Sequence, residues 1–250
     1  MIFDLDGVIT FTARVHAGAW KQMFDEFLKE RSSQLHEPFR EFTIGRDYLT
    51  YVDGKPRYDG VASFLASRNI SIPYGSPSDP PSAKTVCGLG NWKDKLFNEK
   101  VEKDGVEVDH DVVRLVRELR ARDVRVGVAS SSRNVVPILQ RAGIRDLFDE
   151  IVDGIVSERL QLRGKPEPDI FLACLAQLTH NPDPRKAGVA EDATVGVMAG
   201  HRGRFALVLG VDRTGSGALG KNGANWVIRD FSTITAEKIT AFFREGARVA

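Results

Sequence analysis

The sequence predicts an α/β protein, with a Rossmann-like parallel sheet core and a mostly helical cap domain inserted after the first strand. Three observations lead to this class. Residues 1–3 form an apolar, strand-like start, short apolar segments alternate with amphipathic ones beyond residue 106, and the region between has mostly helical periodicity. Alternation of strands and helices is typical of a parallel sheet covered on both faces. We therefore predict a core at residues 1–10 and 107–250 and a cap at residues 11–106.

The predicted cap contains three helices separated by loops. The first helix, over residues 12–29, carries an apolar stripe with helical spacing. Shorter helices are predicted at residues 61–67 and 92–103. Proline and glycine interrupt the polar residues 30–60 and mark residues 72–82 as a loop.

The predicted core alternates between helices and strands. One helix is predicted around residues 112–119 and another over residues 134–141, which Gly143 closes as the residue just past a helix end. Strands are predicted in four apolar segments: residues 124–129, 187–190, 205–211 and 224–228.

Composition excludes several classes of protein. The 250 residues carry a net charge of +1, so no overall field favours nucleic acid or an anionic membrane. No apolar run has the length of a membrane span, and no signal peptide is visible. Cys87 and Cys174 lack metal-ligand spacing and indicate a reducing compartment. We expect a cytoplasmic monomer that acts on a small molecule, with no nucleic-acid or membrane partner.

Polar side chains follow four predicted strand ends, where active sites of open parallel sheets lie. Each motif alone has an ordinary interpretation as a turn, a helix cap or a solvated helix start. A calcium loop is excluded because Ala13 stands where that loop needs glutamate. The four motifs are Asp4-Leu-Asp6-Gly, Ser130, Lys165 in Gly-Lys-Pro, and Glu191-Asp192.

Taken together and in this order, the motifs resemble those of the haloacid dehalogenase superfamily. Longer strings resemble its β-phosphoglucomutase-like members, and the resemblance covers nearly the whole chain. These strings are residues 3–10 followed by Thr12, His16 and Trp20, then Ala-Ser-Ser-Ser-Arg-Asn at 129–134, and Gly-Lys-Pro-Glu-Pro-Asp-Ile-Phe at 164–171.

The resemblance implies phosphoryl transfer through Asp4, which attacks phosphorus and becomes an aspartyl phosphate. Asp6 protonates the leaving oxygen and later deprotonates the attacking hydroxyl; alternate residues of a strand point the same way, so the two can share one site. Ser130 and Lys165 bind the phosphoryl oxygens. The implied Mg²⁺ site has oxygen ligands from Asp4, the backbone carbonyl of Asp6, Asp192 and the nearby Glu191.

The resemblance also implies substrate-binding residues in both domains. Surface exposure is the alternative interpretation of Arg57 and Lys93. Two positions depart from the compact relatives: Phe11 replaces an acidic residue, and Asp53 replaces a lysine before a glycine. The implied residues are Thr12, His16, Gly54, Arg57 and Lys93 in the cap, and Ser131, Ser132, Arg133 and Asn134 in the core.

The leading hypothesis that the resemblance implies is interconversion of β-glucose 1-phosphate and glucose 6-phosphate, with β-glucose 1,6-bisphosphate as intermediate and activator. A sugar-phosphate phosphatase of the same superfamily is the alternative. A non-catalytic sugar-phosphate sensor is a third hypothesis, which the motifs disfavour because a sensor has no need for both Asp4 and Asp6.

Overall fold

The structure, a computed structural model, describes residues 1–246, with side chains through Arg244. It divides into two compact units. One contains residues 1–11 and 106–246, and the other contains residues 12–105. Each junction lies one residue from the predicted position. No helix in residues 1–246 is long and apolar enough to cross a membrane.

The unit at residues 12–105 is helical. Its helices are α1 (Ala13–Leu35), α2 (Leu49–Tyr51), α3 (Arg57–Ser67) and α4 (Val86–Asp104), with a π-helical turn at Ile44–Tyr48. The three predicted helices exist but are longer than predicted. The added ends of α1 and α3 are mostly polar and carry no apolar periodicity, whereas the added start of α4 contains Gly88 and Gly90, which disfavour a helix. The Phe24 ring packs on Phe42 and Phe64 with centroids 4.9 and 4.3 Å away, which forms the centre of this unit's core.

The other unit contains a six-stranded sheet in the order β3-β2-β1-β4-β5-β6, with every neighbouring pair parallel. The predicted α/β class is therefore confirmed. The strands are β1 (Ile2–Phe3), β2 (Gly127–Ala129), β3 (Glu150–Val152), β4 (Gly188–Glu191), β5 (Leu207–Val211) and β6 (Trp226–Ile228). Of these, β3 was not predicted, because three residues with a half-exposed glutamate give no strand pattern.

Helices connect these strands. The helices α5 and α6 follow the predicted positions, whereas the later helices were not predicted individually. They are α5 (His110–Arg120), α6 (Val135–Arg141), α7 (Gly154–Arg159), α8 (Asp169–Leu178), α9 (Thr194–Arg202), α10 (Ala218–Lys221) and α11 (Ala236–Gly246).

The register of the central strands positions the polar motifs. On β1, Phe3 pairs with Val128 of β2 and with Ala190 of β4. Side chains just beyond three neighbouring strands therefore meet at one edge of the sheet. Ile2, Phe171 and Val189 belong to the buried cluster that supports this edge from below.

Candidate active site

Asp4 is held from three directions at the end of β1. Its backbone N–H donates to the Ala190 carbonyl at 2.9 Å. One carboxylate oxygen, Oδ2, accepts from the Asp6 N–H at 3.0 Å, and the other, Oδ1, accepts from Lys165 Nζ at 2.7 Å. Asp4 as a whole is only 6% exposed. These contacts fix the carboxylate in one orientation, as a nucleophile requires.

Lys165 bridges two acidic residues. Besides Asp4, its ammonium contacts Glu191 Oε1, and the second Glu191 oxygen accepts from the Ala193 N–H at 2.8 Å. Both Lys165 and Glu191 are buried. The prediction that Lys165 follows a strand was wrong: it lies in the loop between α7 and α8, because the chain forms α7 directly after β3.

The charges of this group shift two pKa values. Burial raises the pKa of Asp4 to about 7, with Glu191 and Asp6 acting in the same direction and Lys165 opposing them. Burial lowers the pKa of Lys165, but the Asp4 and Glu191 carboxylates outweigh it and hold that pKa above its ordinary value. Lys165 is therefore a permanent cation, and a further positive charge beside Asp4 would keep this carboxylate ionised at neutral pH.

Gly7 shapes the turn after Asp6. Its φ of +82° is a conformation that favours glycine, and its N–H donates to the Thr10 carbonyl at 2.7 Å. A Cβ at Gly7 would stand 1.7 Å from Asp192 Oδ2. The missing side chain therefore lets the Asp192 carboxylate lie directly against the turn that carries Asp6.

The residues around this turn fit a hard divalent cation. The Asp4 carboxylate accepts from the Asp6 N–H, and the Asp192 carboxylate lies against Gly7, the residue after Asp6. Oxygen is the donor that Mg²⁺ prefers. Within residues 1–246, no group of three or more His, Cys, Asp or Glu side chains has the arrangement of a metal site. The two Glu191 oxygens contact Lys165 and the Ala193 N–H, so the predicted set reduces to the Asp4 and Asp192 carboxylates with the Asp6 carbonyl oxygen, which requires no such group. The close approach of Asp192 to Gly7 is the structural feature that supports it.

The predicted phosphate loop follows β2. Ser130 is buried, and its Oγ accepts from the Ser132 N–H at 3.2 Å, while Ser132 Oγ accepts from the Asn134 N–H at 3.2 Å. The helix α6 begins one residue later than predicted, at Val135. Arg133 forms an ion pair with Glu158 of α7, a partner that the sequence did not indicate.

In the helical unit, Arg57 is also paired. It contacts Asp94 Oδ1 at 2.6 Å, and its second amino group donates to Asn91 Oδ1 at 3.4 Å. This arginine is therefore largely buried, rather than the exposed surface residue that the alternative interpretation assumed. Gly54, in the loop before it, has a φ of +71°, which favours glycine.

Lys93 and His16 form a second polar pair in the same unit. Lys93 Nζ lies 2.5 Å from His16 Nδ1, and the lysine is only 4% exposed, which excludes an ordinary surface role. The ammonium also lies 5.3 Å from the centre of the Trp20 ring and 4.8 Å from that of Phe97. Thr12 is buried immediately before α1.

Sequence reasoning missed the residues that hold these candidates in place. Asp94 and Asn91 orient Arg57, and Glu158 orients Arg133. Arg213 bonds the Gly7 carbonyl and Asp109. Charged and amide side chains are common on helices and loops, so no local pattern could have singled out these four groups before the tertiary pairs were known.

The structure has a parallel sheet with a carboxylate pair after a central strand, a lysine on the first carboxylate, and a second unit inserted in the chain after that strand. This is the arrangement of haloacid dehalogenase-like enzymes. The chain belongs to that family: residues 1–203 match the family described as haloacid dehalogenase-like hydrolase.

Comparison with individual proteins of this family finds several β-phosphoglucomutases. The β-phosphoglucomutase of Mycobacterium bovis is 44% identical over 237 residues, which cover 93% of this chain and 90% of the relative. The β-phosphoglucomutase of Bacillus subtilis is 32% identical over 95% of this chain and 92% of its own. A crystal structure of β-phosphoglucomutase from Clostridium difficile has a TM-score of 0.76, covers 100% of this chain and 98% of its own, and is 22% identical, so it supports the fold. The family resemblance seen in the sequence is confirmed.

Proposed function

We propose that this chain is a β-phosphoglucomutase that transfers a phosphoryl group through Asp4. The observation that carries the proposal is the 2.7 Å contact between Lys165 Nζ and Asp4 Oδ1 in a buried site. A fixed ammonium beside a fixed carboxylate suits a nucleophile that must approach an anionic phosphate. The 44% identity to a β-phosphoglucomutase over nearly the whole chain supports the choice of substrate.

In the proposed reaction, Asp4 carries the phosphoryl group as an aspartyl phosphate. The 6-hydroxyl of β-glucose 1-phosphate attacks phosphorus, Asp6 takes the hydroxyl proton, and the bond between phosphorus and Asp4 breaks. The product, β-glucose 1,6-bisphosphate, then reorients so that its phosphate on O1 faces Asp4. Asp4 then attacks the phosphorus on O1, Asp6 returns its proton to O1, and glucose 6-phosphate leaves. Protons and phosphoryl groups balance over the cycle.

Mg²⁺ would be held by Asp4, the carbonyl oxygen of Asp6 and Asp192. When bound, it supplies positive charge that offsets the repulsion between the carboxylate and the phosphate. We assign Glu191 to a different task from the one first expected, because its two oxygens contact Lys165 and the Ala193 N–H. In this proposal Glu191 orients Lys165 and stays outside the set of direct ligands.

Two sets of residues would bind the sugar phosphate. The turn at Ser130–Asn134 would bind phosphoryl oxygens through its hydroxyls and N–H groups, and Arg133 adds a guanidinium whose planar fork matches phosphate. In the helical unit, Arg57, the Lys93–His16 pair, Thr12 and Gly54 would bind the rest of the substrate. Asp94 and Glu158 partly neutralise the two arginines, so each arginine is held in place without a phosphate.

A sugar-phosphate phosphatase is the second candidate, because the matching family is described as hydrolases and water could replace the sugar hydroxyl as acceptor. A cytoplasmic location and a monomeric state belong to the same proposal. Both cysteines are free thiols buried within the protein, as a reducing compartment would leave them.

The two candidates differ in their product. The experiment supplies β-glucose 1-phosphate, Mg²⁺ and a trace of β-glucose 1,6-bisphosphate, and follows glucose 6-phosphate and inorganic phosphate together. The mutase proposal predicts that glucose 6-phosphate forms, at a rate that depends on the added bisphosphate. Release of inorganic phosphate alone would replace the mutase with the phosphatase.

A further inference from the structure

Arg213 is a largely buried cation that the proposed reaction does not use. It follows Asp212 at the end of β5, and its side chain is 27% exposed. Its Nε–H donates to the carbonyl oxygen of Gly7 at 3.0 Å, and Nη2 lies 2.7 Å from Asp109 Oδ2. One guanidinium therefore joins the turn after Asp6 to a distant part of the chain.

Asp109 and Phe11 complete this contact. The guanidinium carbon lies 4.6 Å from the centre of the Phe11 ring, a cation–π distance. The other oxygen of Asp109, Oδ1, caps α5 by accepting from two backbone N–H groups, and the Asp109 N–H donates to the Ile9 carbonyl at 2.9 Å. Arg213 is thus anchored to the start of a helix, so it can act as a rigid support.

The support acts on the glycine turn that carries Asp6. Gly7 has no Cβ to restrict its backbone, and its N–H is bonded to the Thr10 carbonyl. Because the peptide is planar, this bond directs the carbonyl of Asp6 the opposite way. Arg213 fixes the next carbonyl along, so both peptides that flank Gly7 have a bonded group.

We infer that Arg213 is a positioning residue for Asp6: it holds the Gly7 carbonyl, and Asp109 holds Arg213. The inference rests on the proposed role of Asp6 in proton transfer and of its carbonyl oxygen in binding Mg²⁺. Loss of the guanidinium would let the backbone at Gly7 rotate. The Asp6 carboxylate and the Asp6 carbonyl oxygen would then no longer be held in one direction. The loss would leave the sugar-binding residues in place.

The test compares Arg213→Met, Arg213→Lys and Asp109→Asn with the wild type. The control is Arg185→Met, which removes another arginine–aspartate pair, at an exposed site. The measurements are kcat and KM for β-glucose 1-phosphate, and calorimetric titration with Mg²⁺ alone. We expect Arg213→Met to lose at least about tenfold in kcat, since small misplacements of reacting groups cost this much or more, with little change in KM. Arg213→Lys keeps the charge but cannot bond both partners, and should recover part of the rate.

The Mg²⁺ titration separates positioning from charge. Removing a nearby cation would by itself tighten Mg²⁺ binding, whereas a disordered Asp6 carbonyl weakens it. We expect weaker binding in Arg213→Met and a smaller loss in Asp109→Asn. Unchanged kcat per folded molecule, or tighter Mg²⁺ binding, would overturn the inference. If Arg213→Met does not fold, the other two variants decide. A wild type with no phosphoryl transfer would refute the proposed function, while the titration would still test Arg213.

Discussion

Lys165 Nζ lies 2.7 Å from Asp4 Oδ1, although 161 positions separate the two residues in the chain. The same ammonium contacts Glu191 at the end of β4. One lysine from a loop thereby joins the ends of two neighbouring strands. Three charged groups therefore share a site with almost no access to water, so we expect changes to any one of them to affect stability as well as catalysis.

Lys165→Met should lower both stability and turnover. It leaves two buried carboxylates without their cation, which typically costs about 3–5 kcal/mol. The double variant with Glu191→Gln should recover much of that stability, since one of the two charges is gone, yet it should remain inactive. Urea unfolding and phosphoryl-transfer assays measure the two effects. A double variant with restored turnover would remove Lys165 from the reaction.

Gly7→Ala should damage the metal site beyond the backbone penalty. A matched control is Gly143→Ala, because Gly143 also has a positive φ, of +66°, but a Cβ there meets no atom within 4 Å. Both variants should lose about 1–2 kcal/mol of stability from the left-handed conformation. Only Gly7→Ala should also weaken Mg²⁺ binding, because its methyl group would displace Asp192. Equal Mg²⁺ affinity in the two variants would count against the proposed ligand set.

Asp212 should make the free energy of unfolding depend on pH in the acid range. Burial raises the pKa of Asp212, but hydrogen bonds from Gly217, Thr214 and Ser216 outweigh it and lower this pKa to about 2. The ionised carboxylate therefore stabilises the fold fully above its unfolded pKa of about 4, and this contribution disappears as the pH falls toward 2. Asp212→Asn should reduce the free energy of unfolding at pH 7, and the difference from wild type should shrink below about pH 4. A difference independent of pH would show that the charge does not matter.

Arg57 and Arg133 should matter more for the sugar phosphate than for a small ester. Loss of one charge-assisted contact costs about 1.5–3 kcal/mol, or roughly ten- to a hundredfold in binding. Arg57→Ala and Arg133→Ala should lose this much in kcat/KM for β-glucose 1-phosphate and far less for acetyl phosphate. Arg185→Ala is the control, since it removes an exposed pair. Equal losses on both substrates would favour the phosphatase.

The candidate catalytic residues could be proposed from the sequence because they follow local patterns. Asp4, Ser130 and Glu191 stand beside short apolar strands, and the alternation of strands and helices implied that those strands lie side by side. Lys165 was proposed from its motif, and the expected position at a strand end was wrong. Its loop position follows from α7, a helix too short to show periodicity.

The partners of the arginines could not be predicted from the sequence. Asp94 lies on α4 and Glu158 on α7, and each meets its arginine only after separate elements have packed together. Phe11 shows the same limit. Phe11 departs from the pattern of related sequences, but its contact with Arg213, which follows β5, depends on the assembled sheet.

The central claim is that Asp4 carries the phosphoryl group. The most direct test is to incubate the wild type and Asp4→Asn with acetyl phosphate and Mg²⁺, quench rapidly, reduce with borohydride and locate the modified peptide by mass spectrometry. Borohydride converts an aspartyl phosphate to homoserine, so the label is specific to an acyl phosphate. The account predicts homoserine at position 4 in the wild type and none in Asp4→Asn, which should also lose all turnover. A modified residue elsewhere in the chain, or turnover in Asp4→Asn near the wild-type rate, would contradict it.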